Sequence, residues 1–100
     1  MALARVVSFE HINPENVERI RQSIEAGDTP EGMPPAEVLF LHDKTADTAL
    51  AIVIVENEDD YRRVDDILGS VPADEAAGRR TSVTRYEVTV HTSTPKRPRV

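Results

Sequence analysis

The hydrophobic pattern of this chain switches between a period of two residues and a helical period, and the order of the switches predicts an α+β fold, β-α-β-β-α-β. Three observations carry that expectation. Two stretches with helical spacing each begin at an asparagine and end at a glycine, Asn13 to Gly27 and Asn57 to Gly69. Four other stretches are aliphatic or alternate at strand spacing. One of these, Ala49 to Val55, is apolar at every position, as expected of a central strand covered on both faces.

The first strand is expected over residues 3–11, where the neighbours Val6 and Val7 ask for apolar surroundings on both sides. Asn13 then supplies an N-cap and Pro14 the first helical position. Val17, Ile20 and Ile24 follow on one helical face, so helix one covers about 14–26. Gly27 to Pro35 is a loop by composition. Strand two, about 36–43, sets Val38, Phe40 and His42 against Leu39 and Leu41. Residues 43–47 turn the chain into strand three, Ala49 to Glu56.

Asn57 caps helix two, and Glu58, Asp59 and Asp60 complement the positive end of its dipole. Tyr61, Val64, Ile67 and Leu68 form the stripe to be buried. The pairs Asp59-Asp60 and Asp65-Asp66, beside Arg62 and Arg63, are expected on a solvated charged face. A polar loop with Pro72 and Gly78 leads to the last strand, about 82–92, where Tyr86, Val88 and Val90 alternate with Arg85, Glu87 and Thr89. Residues 1–93 are thus expected to form a single domain, followed by a disordered basic tail, 94–100.

Right-handed crossovers turn this element order into the ferredoxin-like split βαβ, with an antiparallel sheet of order 4-1-3-2. Strands one and three are then central. Two helices cover only one face of such a sheet, so apolar residues on both faces of its central strands call for a second cover. The expected cover is another copy of the chain, in a homodimer packed sheet to sheet.

Composition excludes several functions. The chain has 100 residues, no cysteine and four aromatics, Phe9, Phe40, Tyr61 and Tyr86. Without cysteine there is no disulfide scaffold, thiolate zinc site or catalytic thiol. No apolar run approaches the ~18 residues of a membrane span, and Glu10 interrupts any signal-like start. A cytoplasmic protein with no membrane partner is expected. The net charge of −6 includes three basic residues in the tail, so the body carries nine basic against eighteen acidic side chains. Phosphate backbones need the opposite sign, so no nucleic-acid partner is expected. An RNA-recognition module of the same topology is excluded too, because strand three is wholly aliphatic and strand one offers only Phe9.

The topology gathers His11, Asn13, His42, Asp43, Arg79 and Arg80 at one rim of the sheet, with His91 roughly 20 Å away. The three histidines cannot converge within one subunit; His11 and His42 with Asp43 could ligate a metal, but nothing enforces their loose spacing, and no metal or other cofactor is expected. His11 and His42 are the candidates for proton transfer, histidine being the side chain that titrates near neutrality. Arg79 and Arg80, in a loop near the start of helix one, either hold an anion or pair with neighbouring carboxylates. If a cavity lies between helices and sheet, Phe9, Phe40, Ile54, Tyr61 and Tyr86 are its candidate walls, suited to a small hydrophobic or aromatic molecule. The alternative is a core packed solid.

With this element order the chain resembles the dimeric α/β-barrel superfamily over about residues 3–92. The likeness is clearest in Ala49-Leu-Ala-Ile-Val-Ile-Val-Glu-Asn-Glu-Asp-Asp-Tyr-Arg-Arg-Val-Asp-Asp-Ile-Leu68 and Thr81-Ser-Val-Thr-Arg-Tyr-Glu-Val88. Glu56-Asn57-Glu58-Asp59-Asp60-Tyr61 looks like the acidic, N-capped start of helix two in that superfamily. The chain looks most similar to small actinobacterial members without an assigned activity. The superfamily includes cofactor-independent monooxygenases of the antibiotic-biosynthesis type and haem-degrading enzymes. Both typically use a tryptophan near the strand-three to helix-two junction, and the haem enzymes a histidine on helix two. This chain has no tryptophan, and residues 57–69 contain no histidine, so no catalytic residue carries over. The resemblance therefore implies a dimeric small-molecule-binding protein or a monooxygenase-like enzyme. A non-catalytic ACT-type regulatory or dimerisation module, which pairs side by side, is the alternative.

Overall fold

The structure, a computed structural model, describes residues 1–94. Its elements follow the expected order: β1 (Leu3–Glu10), α1 (Pro14–Glu25), β2 (Glu37–Asp43), β3 (Thr48–Val55), α2 (Glu58–Gly69), a short 3-10 turn (Ala73–Glu75) and β4 (Arg79–Glu87). The strands form one antiparallel sheet of order β2-β3-β1-β4, which is 4-1-3-2 counted from the other edge. β1 and β3 are its central pair. The disordered tail expected for 94–100 lies, from residue 95 onwards, outside the described residues.

Both helices start where the asparagines put them. The Asn13 side chain accepts from the amides of Glu15 and Asn16 at 3.1 and 3.2 Å, and that of Asn57 accepts from Asp60 N at 2.9 Å. Each bond satisfies an amide that the first helical turn leaves without an internal partner. The Asp43 carboxylate likewise accepts from Thr45 N and Ala46 N, both at 3.1 Å, and closes the β2–β3 hairpin.

The limits of β1 and β4 differ from expectation in ways that bear on the rim. β1 stops at Glu10 because His11 takes a left-handed backbone, with φ of 53°. β4 runs over Arg79–Glu87, not 82–92, so Arg79 and Arg80 lie on a strand and not in a loop. Its partner sets these limits: Glu10 and Phe9 pair with Arg79 and Arg80, and Leu3 pairs with Glu87. The ladder absorbs one extra residue of β4 in a bulge opposite Ser8 and Phe9. Beyond it, Val88 N donates to Ala2 O at 2.9 Å.

Register separates the two faces of the sheet. Leu3, Arg5, Val7, Ala49, Val53 and Val55 are all buried and all project to one side. There α2 seals the core, with Tyr61 and Val64 packed on Leu3, Val53 and Val55, and Met33 and Leu68 around them. The other side carries Ala4, Val6, Ile52 and Ile54 in its middle, and of these only Ala4 is fully buried. The expectation that β3 is covered on both faces therefore holds, within one chain, for one face only. On α1, Val17 and Ile20 are half-buried and Ile24 is exposed.

Candidate functional site

The uncovered face is the largest feature of the molecule that its own fold leaves unsatisfied. Across its middle stand Leu39 and Leu41 from β2, Leu50, Ile52 and Ile54 from β3, Ala4 and Val6 from β1, and Thr84 and Tyr86 from β4. None is charged. Leu39 is 50% exposed, Leu41 48% and Tyr86 55%. The charges on this face stand at its corners: Glu37 and Asp43 at the two ends of β2, and Glu10 with Arg79 at the rim of β1 and β4.

That rim is built from β1, the hairpin and the approach to β4. Asn13 N donates to Ala77 O at 2.8 Å, and Ile12 N donates to an Asp47 carboxylate oxygen at 3.2 Å. Gly78 passes so close that a Cβ there would stand 2.8 Å from Glu10 O, which only glycine avoids. Buried Asn16 completes the tie by donating to Asp74 O and Ala76 O, both at 2.8 Å. The result is a concavity of about 520 Å³ at the rim. Ser8, Glu10, Leu41, Thr48 and Leu50 line it from the uncovered face, and His42 borders it.

The expected site residues divide between these surroundings. His42 and Arg79 both lie at the rim end of the sheet but on opposite edge strands, β2 and β4, and Arg79 forms an ion pair with Glu10 there. Arg80 pairs with Phe9 on β1. His11 reaches the same end of the sheet, but its side chain is 77% exposed and its Nε2 is 3.9 Å from Glu10 Oε1. The five candidate wall residues do not share one wall. Phe9 and Phe40 stand on the helix side of the sheet, Tyr61 packs from α2 on Leu3, Val53 and Val55 towards its other end, and Ile54 and Tyr86 stand on the uncovered side.

Between α2 and the sheet lies a polar arrangement that periodicity does not reveal. Arg5 and Arg85 are register partners, so two positive side chains sit directly opposite each other. α2 answers both. Arg5, only 4% exposed, donates from Nε to Asp65 Oδ1 at 2.9 Å, and Arg85 grips both carboxylate oxygens of Glu58. Tyr61 lies between them in sequence, with the Arg85 guanidinium 5.2 Å from its ring centroid. The bonds from Arg85 hold the Glu58 carboxyl below its ordinary range, and burial pushes the Tyr61 phenol up, so that phenol stays protonated at neutral pH.

Asp65 is thus a correction: its carboxylate does not belong only to a solvated face, because it is the partner of a buried arginine. The sequence held one signal for it. Arg5 interrupts the apolar parity of Leu3 and Val7, and a buried guanidinium needs an acid within reach.

No helix among the described residues is long and apolar enough to cross a membrane. Among them, no group of three or more His, Asp or Glu side chains is placed to hold a metal ion. No protein-family model and no curated protein matches the chain.

Proposed function

We propose that this chain is the subunit of a homodimer in which two ferredoxin-like sheets pack face to face as a dimeric α/β barrel, and that the dimer binds a small molecule at the rim. The observation that carries the reading is the uncovered sheet face, uncharged across its middle and flanked by charges only at its corners. The seven residue rows shared by the four strands present roughly 450 Å² in projection, in the range of the largest surface patches of a single chain, which are often functional. A second copy is the occupant that suits it. With Asp43 on one edge of the face and Arg79 on the other, a two-fold axis along the strands sets acid against base at both edges.

Such packing would roof the rim concavity with a partner surface. Its floor is apolar at Leu41 and Leu50, and its polar groups are the Ser8, Thr48 and Thr81 hydroxyls and the Glu10 and Asp43 carboxylates, whereas His42 shares the helix side of β2 with Phe40 and borders the concavity from behind. That lining suits a small, partly apolar molecule bearing one or two hydrogen-bond donors.

Light scattering after size exclusion is the direct test. The expected mass is twice 11.1 kDa, falling to one chain in a Leu39→Asp/Leu41→Asp variant that still folds. A wild-type monomer at micromolar concentration overturns the reading. A dimer that survives both substitutions pairs through an exposed edge strand instead, as an ACT-type module does. For the ligand, co-purified density or soaked fragments in a crystal should occupy the rim in contact with Thr48, and Thr48→Val should weaken that binding while the dimer persists.

A further inference from the structure

We infer that the segment after β4, residues 88–91, is a strap that lies across one end of the uncovered face and competes with the second copy for it. The inference rests on the face-to-face reading above. The geometry begins with one row of the sheet, in which Glu37, Ile54, Ala4 and Tyr86 stand side by side across β2, β3, β1 and β4. Glu37 and Tyr86 therefore mark opposite edges, about 14 Å apart at ordinary strand spacing. Yet His91, five residues past Tyr86, brings its Nε2 to 3.0 Å from Glu37 Oε2.

Val88 is still held beside Ala2 on the β4 side, by its amide bond to Ala2 O. The three residues from Val88 to His91 span at most about 10 Å. With the several ångströms that the His91 and Glu37 side chains add, that span carries the segment from the β4 edge across the ends of β1 and β3. The side it takes follows from what fills the other. On the helix side Met33 and α2 already pack against Leu3 and Val55, and Glu37 shares register with the uncovered face.

A further observation agrees. Ala4, in the row next to this crossing, is the one residue in the middle of the uncovered face that is fully buried, while Leu39 and Leu41 on β2 remain about half exposed. Two sheets that pack face to face stand about 10 Å apart, which leaves no room for a length of backbone between them. A closed strap therefore confines contact between copies to the rim half of the face, and complete pairing requires the strap to lift. The fraction of chains with the strap lifted then scales the apparent affinity of the dimer.

Because the chain has no cysteine, the strap can be locked selectively. Glu37→Cys/His91→Cys, joined by a short bis-maleimide, should give a cross-link within one chain, seen by mass spectrometry. A cross-link formed only between chains overturns the inference. The locked protein should be monomeric where the wild type is dimeric, and unlocked His91→Ala should dimerise more tightly, by a factor of about 2–5 for one exposed polar contact. Equal dimer affinity in locked and unlocked protein also overturns it. Failure of the dimer reading is told apart by a wild type that stays monomeric. In that case binding of an apolar dye to the uncovered face decides: lower when locked and higher in His91→Ala upholds the strap, and no change removes it.

Discussion

The two faces of this sheet are made from the same strands, nearly the same residue types and the same backbone, yet one is core and the other is surface. Val53 and Ile52 are neighbours on β3 and both β-branched. Val53 is buried under α2, and Ile52 is only half-buried on the far side. The difference lies in what the connections lay over each face. Burial is a property of the covering element, and this chain covers one side. The covered face therefore tolerates Arg5, because α2 delivers Asp65 to it, whereas the uncovered face keeps charge out of its middle. A face meant for permanent exposure would have no reason to do so.

Substitutions matched across the sheet turn that contrast into measurements. The largest effect is expected from tyrosine. Tyr61→Ala removes a ring packed on Leu3, Val53, Val55 and Val64 and should cost about 3–5 kcal/mol in urea unfolding. Tyr86→Ala, on the uncovered face, should stay within about 0.5 kcal/mol when measured in solution dilute enough to keep the chain monomeric. Comparable losses at the two positions would mean that the uncovered face is packed within one chain after all.

Next comes the acidic pair on α2. Asp65→Ala strands the buried Arg5 guanidinium and should cost about 1–3 kcal/mol, while Asp66→Ala next to it should change stability by no more than about 0.5 kcal/mol. Chemical denaturation of both variants checks this, and equal effects would remove Arg5 from the account. The smallest effect concerns pH. Glu58 is held below its ordinary value of 4.5, chiefly by the hydrogen bonds from Arg85. A carboxyl depressed in the folded state adds stability above that value and loses it as pH falls through the lower folded value. Thermal melts between pH 5 and 2 should therefore fall less steeply for Glu58→Gln than for the wild type, with the two curves converging at the acid end.

Much of the fold was legible because its signals are local. The Asn-capped helix starts, the glycine near each helix end and the apolar run of β3 each depend on residues within a few positions of one another. The Tyr61, Val64, Ile67 and Leu68 stripe was legible for the same reason. The candidate site was less so. That His42 and Arg79 lie at the same end of the sheet follows from the topology, but the division of Phe9, Phe40 and Tyr61 from Ile54 and Tyr86 follows from register. A shift of one residue exchanges the two faces, and alternation cannot fix it on strands that are apolar on both sides. The shift of β4 towards Arg79 had the same origin. Its residues from Arg79 to Glu87 are chosen by the length of β1, to which the sequence around position 82 carries no pointer.

The sequence by itself thus determined the element order, the central place of β1 and β3, the helix boundaries and a surface charge that disfavours phosphate. These follow from periodicity, capping and composition, which act over a few residues and leave their mark in the order of the letters. Only the tertiary structure decided the bulge opposite Ser8 and Phe9, the pairing of Arg5 with Asp65, the bridge from His91 to Glu37 and which face of the sheet stays bare. Each of those joins residues far apart in the chain. Their meeting depends on ladder register and on where a helix or a terminal segment lands, and no local pattern records it.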